Sequence, residues 1–381
     1  MARISVRWLG GLAGMIAMHT ALASYTITGL GPLPGDTLSG VSAINNHGQI
    51  VGTSGRSDLN NNFVDSRGYL NSNGVLLNLQ TLPGGAFSAA DGINDSGQGV
   101  GTSDSPVGQR AFLYANGAMQ SLGVLADDTD SYASAINNRG QVVGSSGVSG
   151  ESAQAFLYED GIMRGLGYLA GSAVSVALDI NNSGQVVGFG QGPEGERAFL
   201  FADGVMQNLG TLPGGTFSIA WGIGDGGHVV GYGANSLGRS RAFLYENGVM
   251  SDLGTFAGGR NSFAYGVNTA GVVVGGSDSA QGYRAFMYSG NTMFDLNQML
   301  APDTGWTLHN ALSINDAGQI IGIGTFGLET RRAFLLTPDA LSAVPEPATT
   351  WLLLAGLGAL AGLSRRPSAR VRRHRHSSSH A

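Results

Sequence analysis

The sequence predicts an all-β chain folded as a seven-bladed β-propeller of four-stranded blades, with a β-solenoid as the competing architecture. Three observations carry this. The phrase Ile44-Asn-Asn-His-Gly-Gln-Ile-Val-Gly52 returns with its first residue at Ile93, Ile136, Ile180, Ile223, Val267 and Ile314, at intervals of 43 to 49 residues. A second phrase keeps step with it at Arg110 to Tyr114, Gln154 to Tyr158, Arg197 to Phe201, Arg241 to Tyr245, Arg284 to Tyr288 and Arg332 to Leu336, with a degenerate copy at Arg67 to Leu70. The two ends of the array are complementary. Gly makes up 63 of the 381 residues at fixed places in each repeat, while 42% of residues are hydrophobic, so the composition reads as turn-dense β structure rather than disorder.

Each repeat resolves into four strands. In the unit from Val75 to Tyr114, Gly85 to Ile93 is the first strand candidate, Asn94 to Gly97 a tight connection and Gln98 to Ser103 the second strand. A variable polar loop leads to the third strand, Arg110 to Tyr114. The Asn116-Gly117 turn then opens a fourth strand, Ala118 to Leu125. That turn recurs as Asn73-Gly74, Asp160-Gly161, Asp203-Gly204 and Asn247-Gly248, with Gly290-Asn291 reversed. Solenoid coils are usually shorter and rarely carry two tight hairpins per period, which favours blades.

The last repeat stops after its third strand, Arg332 to Leu336. The missing strand stands at the other end, where Tyr25 to Leu30 and the following Pro32-Leu-Pro-Gly35 match Met206 to Gly214. One blade is then completed from both termini, and closure removes the exposed edges that an open array would leave. Three positions before each repeated Ile stand Val41, Ala90, Ala133, Ala177, Ala220, Ala264 and Ala311, small residues expected where inner strands crowd the axis. The next position varies freely, as Ser42, Asp91, Ser134, Leu178, Trp221, Tyr265 and Leu312, and marks a face where function can be added. These repeats, from about Tyr25 to Leu336, resemble the HAF family of extracellular repeat proteins, named for His-Ala-Phe in the third strand. The resemblance implies export and repetition without a defined reaction. Its His is replaced here by Arg110, Gln154, Arg197, Arg241, Arg284 and Arg332.

The termini predict export. Arg3 and Arg7, the apolar run from Trp8 to Met18 and the Ala21-Leu-Ala23 site before Ser24 read as a cleaved signal peptide over residues 1–23. An uncleaved membrane anchor is the alternative. The repeat domain occupies 24–341. In residues 342–381, Val344-Pro345-Glu346-Pro347 precedes an uncharged apolar run from Ala348 to Leu363, read as a transmembrane helix, and then six Arg between Arg365 and Arg375. This order closely resembles the PEP-CTERM sorting signal of Gram-negative, exopolysaccharide-producing bacteria. The resemblance implies recognition by an exosortase, removal of the tail and release or attachment at the cell surface, after a transient inner-membrane anchor. An ordinary anchor with positive-inside flanks is the plainer reading.

With the signal peptide and everything after Pro347 set aside, residues 24–347 hold 12 Arg against 26 acidic residues, a net charge near −14, which disfavours nucleic acid as a partner. There is no cysteine, so disulfides and thiol chemistry are absent. No cofactor or metal is expected. Asp58 to Asp65 alternates oxygen ligands as a calcium loop does, but Phe63 stands where Gly is wanted and no bidentate Glu follows. Asp127-Asp128-Thr-Asp130 lacks calcium-loop spacing. The body's three histidines, His47, His228 and His309, form no readable triad. The expected function is therefore non-catalytic: binding of exopolysaccharide or a surface protein through loops at one end of the ring, in the cell-surface or biofilm matrix. Trp221 and Tyr265, in adjacent repeats, are the candidate ligand-stacking pair, against a reading in which both merely fill space between blades. The alternative class is a propeller enzyme acting on extracellular polysaccharide, for which Trp221, Tyr265, Trp306 and His309 are the candidates.

Overall fold

The structure, a computed structural model, describes residues 24–57, 63–148 and 152–339. Seven antiparallel sheets of four strands each make up the described body, six of them simple up-and-down meanders and the seventh completed by the first strand of the chain. Blade 2 shows the pattern with Ser88–Ile93, Gly99–Ser105, Gly108–Ala115 and Ala118–Ser121, from the axis outward. Blade 1 begins with Leu38–Ile44, and the inner strands of blades 3 to 7 are Asp130–Ile136, Val174–Ile180, Ser218–Ile223, Ser262–Val267 and Trp306–Ile314. Blade 7 is closed as expected: Tyr25–Leu30 pairs antiparallel with Glu329–Pro338, from Tyr25 opposite Pro338 to Leu30 opposite Ala333.

The nine-residue phrase is the turn between first and second strands, and each of its repeated residues has a physical task. Asn94 Oδ1 accepts from the backbone N–H of Ser96 and Gln98, forming the turn from its own side chain, while Gly97 supplies φ +74°. Asn94 Nδ2 donates to Gln98 Oε1 at 2.7 Å and to the Asn137 carbonyl of the next blade at 3.1 Å. The phrase's three apolar residues, Ile44, Ile50 and Val51 in blade 1, are buried. Its final Gly is required by close approach: a Cβ on Gly101 would lie 2.0 Å from the Ala89 carbonyl oxygen, and the equivalent glycines of the other blades are as tight.

The core lies between blades rather than inside them. Seven buried clusters correspond to the seven seams, each joining one blade's third strand to its neighbour's inner strand. Ala111 packs with Ala133, Ala155 with Ala177 and Ala198 with Ala220. The small residue before the variable position is thus set by the preceding blade, not by crowding at the axis as the sequence led us to expect. The second phrase supplies the other half of each seam. Its aromatic residue, Phe112 or Phe156 for example, is fully buried, and burying such a side chain contributes about 1.5–3 kcal/mol. Its Ala N–H donates across the seam to a serine hydroxyl, at 2.9 Å for Ala111 to Ser131 Oγ and again for Ala198 to Ser218. The Arg that replaces His reaches the same neighbour: Arg110 donates to the Thr129 carbonyl, Arg197 to that of Thr216 at 2.8 Å.

Three boundaries differ from expectation. The inner strand of blade 2 starts at Ser88, because Gly84 at φ +78° still belongs to the turn before it. The fourth strand ends at Ser121, since Leu122 turns into the seam core and Gly123 at φ +81° starts the crossing to the next blade. Several connections between second and third strands are two-residue hairpins, as at Ser105 to Gly108, Gly192 to Gly195 and Ser279 to Gly282, rather than long binding loops.

Candidate functional site

Every inner strand carries a β-bulge at the same place. The pairing with the second strand skips one residue between Val41 and Ala43, Ala90 and Gly92, Ala133 and Ala135, Ala177 and Asp179, Ala220 and Gly222, Ala264 and Gly266, and Ala311 and Ser313. The skipped residues are Ser42, Asp91, Ser134, Leu178, Trp221, Tyr265 and Leu312, which are the seven variable ones. A bulge re-aims a side chain out of the pleat, and here all seven line one cavity of about 700 Å³ on the axis. Tyr132 and Asn310 join the lining nearer the hairpin end of the ring.

One wall of this chamber is aromatic. Trp221 and Tyr265, from blades 5 and 6, meet edge to face with centroids 5.9 Å apart, and Trp221 stays 40% exposed, so it faces the chamber rather than filling the seam. Tyr232 lies 6.3 Å from Trp221 and 4.9 Å from Phe263, which stacks on Tyr265. The Tyr283 hydroxyl donates to that of Tyr265, and burial raises the pKa of both phenols. Tyr232 and Phe263 are not legible from the repeats alone, because their contacts cross strands.

The chamber also holds two carboxyl groups. Asp91, the bulge residue of blade 2, is pushed up to about 7 by desolvation, and it has no hydrogen-bond partner among the described residues. Asp179, beside the bulge in blade 4, is likewise raised to about 7 by burial. Backbone N–H groups of Ile180 at 2.8 Å and Ile223 at 2.9 Å donate to it and oppose that rise. Among the described residues no Arg, Lys or His lines the chamber.

At its inner end the chamber meets the repeated Ile residues. A second, smaller cavity of about 150 Å³ lies beyond them, and the two share only Ile44, Ile93, Ile136, Val267 and Ile314. Its mouth is a hydrogen-bonded ring. Asn45, Asn94, Asn137, Asn181, Asn268 and Asn315 each donate through Nδ2 to the next blade's carbonyl at 2.9–3.3 Å, Asn315 reaching Asn45 across the junction of the last and first blades. The following residues repeat the device, as where Asp95 N–H donates to Asn138 Oδ1 and Asp316 N–H to Asn46 Oδ1. Both circuits open between blades 5 and 6, where Gly224 has no side chain and Thr269 no carbonyl oxygen in its side chain.

Other candidates fall elsewhere. Trp306 packs on Phe326 and Phe334 in the closing blade, with ring centroids 5.2 and 6.1 Å away. His309 bridges the seam between blades 6 and 7, Nδ1–H donating to the Tyr283 carbonyl at 3.2 Å and Nε2 accepting from Thr325 Oγ1 at 2.9 Å. Neither lines the chamber. His228 lies 3.6 Å from Glu246 at a turn. Asp65 pairs with Arg56, while residues 58–62 of the same segment lie outside the described residues. Asp128 and Asp130 accept from Ser146 Oγ and Gln109 N–H at 2.7 and 2.8 Å, bracing their turn. Among the described residues no cluster of three metal-ligating side chains occurs. The signal peptide with Ala23, the Val344 to Pro347 motif and the apolar run after it lie outside the described residues; Ser24, within them, is exposed.

Residues 343–370 match the PEP-CTERM protein-sorting motif, the recognition signal of exosortases, so the chain carries the mark of an exported protein sorted to the cell surface. The comparison with curated proteins finds no match. Among solved structures the chain is similar to a gluconolactonase from Xanthomonas campestris, at 14% identity over 66% of this chain and 86% of that one, with a TM-score of 0.36. It is similar to the β-propeller domain of the Trilobed protease from Pyrococcus furiosus, at 10% identity over 68% and 98%, with a TM-score of 0.34. The Aleuria aurantia lectin in complex with alpha-methyl-L-fucoside is similar at 11% identity over 71% and 94%, with a TM-score of 0.36.

Proposed function

We propose that this protein is a non-catalytic glycan-binding component of the cell surface or exopolysaccharide matrix. In this reading an exosortase removes the tail after transient anchoring in the inner membrane. The observation that carries the reading is the convergence of seven otherwise unconstrained bulge residues on one axial chamber. A fold that needs only small residues and glycines at the neighbouring positions leaves this one free, and here it bears an aromatic wall beside polar groups. Sugars present apolar ring faces and hydroxyl edges, which such a surface matches. The resemblance of the repeats to HAF proteins fits an extracellular setting. The ligand surface is the chamber and its rim rather than long loops, because several of the connections there are two-residue hairpins. A glycan-array screen of the exported protein tests the reading: binding to at least one surface or matrix glycan supports it, and an array without binders sinks it.

The second reading, an enzyme acting on polysaccharide, is favoured by one observation, that Asp91 and Asp179 share the chamber with pKa values near 7. Carboxyls poised near the working pH are what glycoside hydrolysis uses as acid and base. Release of new reducing ends from a bound glycan, lost in Asp91→Asn and in Asp179→Asn, distinguishes the two.

A further inference from the structure

The chamber narrows sharply at its inner end, from about 700 Å³ to about 150 Å³. A chain entering from the hairpin end meets the ring formed by Ile44, Ile93, Ile136, Ile180, Ile223, Val267 and Ile314. Six of these are only 5–8% exposed, each packed into the seam beside its own blade, so the ring is a firm apolar collar around the axis. Each follows the bulge and precedes a turn, and six of the seven turns donate to the next blade through the asparagine circuit, so dilating the ring breaks bonds across several seams. The space beyond it is about 150 Å³ and polar-mouthed, too small to accept a sugar chain passing through. The chamber itself, at about 700 Å³, lies within the roughly 300–1,000 Å³ that encloses a small ligand, which is room for the end of a polymer and not for its length.

The lining also states what that end must offer. Asp91, half-buried in the lining, has no hydrogen-bond partner among the described residues. A half-buried carboxyl without a protein donor is matched by a ligand rich in hydroxyl or amine hydrogens. With two carboxyls and no basic side chain in the lining, an acidic sugar meets repulsion and no counter-charge. The face of Trp221 suits a sugar ring, or an ammonium group if the sugar carries one.

Resting on the glycan reading above, we propose that the chamber recognises the end of a glycan chain, a terminal sugar rich in hydroxyl or amine donors and free of acidic groups, instead of gripping the chain along its length. The exported, processed protein is titrated with cellohexaose, maltohexaose, the hexamers of N-acetylglucosamine and of glucosamine, and hexauronates from alginate, each beside its parent polymer. End recognition predicts that a neutral or amine-bearing hexamer binds, with a Kd per chain end within about twofold of its polymer's. A Kd per chain that improves in proportion to chain length, or hexauronates that bind as well as neutral hexamers, overturns it while leaving glycan binding intact. Absence of binding to every hexamer and polymer instead overturns the glycan reading and this inference with it.

A variant gives a second arm. Ser134 faces the chamber from blade 3 at the place where blade 5 naturally carries Trp221, so Ser134→Trp adds bulk inside the chamber at a position the fold accommodates. A folded Ser134→Trp protein should lose at least about tenfold in affinity for the hexamer, and undiminished affinity contradicts the proposal. Should this variant fail to fold, the chain-length series alone decides.

Discussion

Asp91 shows how much one unpaired side chain reports about this site. Its carboxyl loses water without gaining a donor, and its pKa rises from 3.8 to about 7. The native protein therefore holds a proton there that the unfolded chain releases above about pH 4. Stability is fully present below that value and falls as pH rises through about 7. Asp91→Asn removes this penalty. It should be near neutral for stability at pH 4 and stabilising by roughly 1–3 kcal/mol at pH 8, the upper end reached only if chamber water screens little. Urea unfolding at the two pH values checks this, and an equal effect at both contradicts the protonated state. If a ligand donor is what Asp91 lacks, the stabilised variant also binds more weakly, a trade expected of functional residues. Asp91 was visible in the sequence as a departure from the repeat, whereas Asp179 was not. Nothing in its position distinguishes it until the fold brings the Ile223 N–H of the next blade against its carboxylate.

At the level of the strand, the bulge is the element that converts a repeat into a site. It places two inner-strand residues opposite one on the second strand, and the inner backbone then presses on the phrase's last Gly. Gly101→Ala puts a Cβ within 2.0 Å of the Ala89 carbonyl oxygen, so backbone must move. We expect a loss of about 3 kcal/mol or more, in line with overpacking at a backbone contact. Denaturant titration measures it, and a loss below about 1 kcal/mol would show that the bulge yields easily. The sequence reading found the strands, their order and the hairpin turns, because periodicity and Asn-Gly pairs are local signals. It could not find the bulge. Ala90, Asp91 and Gly92 read as one continuous strand, and only the pairing of Ala90 with Gly101 and Gly92 with Val100 exposes the extra residue. The same limit explains why Trp221 and Tyr265 were legible as neighbours from their adjacent repeats, while Tyr232 and Phe263 were not.

For the whole molecule, stability rests on closure, because each core cluster needs two blades. The strand Tyr25–Leu30 holds blade 7 to the rest: Tyr25 lies in the cluster of blades 6 and 7, Leu30 in that of blades 7 and 1, and Ser39 Oγ donates to the Leu30 carbonyl at 2.9 Å. A body lacking Ser24 to Leu30 should melt roughly 10 °C lower or more, in one transition, because both seams fail together. Melting of a single repeat with the rest unchanged would contradict closure. Sorting belongs to the same scale. Replacing Pro345, Glu346 and Pro347 with Ala leaves the apolar run and the Arg cluster in place, so the variant should collect in the inner membrane by cell fractionation. Surface delivery equal to that of the native chain would contradict the sorting role.

The central claim is that the axial chamber, through its bulge residues, is the ligand site of an exported scaffold. The most direct measurement is the affinity of the Trp221→Ala, Tyr265→Ala double variant for the glycan that the native protein binds, read beside its melting temperature. Trp221 is 40% exposed and faces the chamber, so the ring should stay folded with a melting temperature within a few degrees of native while affinity falls at least about a hundredfold. A folded double variant that binds its glycan as tightly as the native protein would contradict the account.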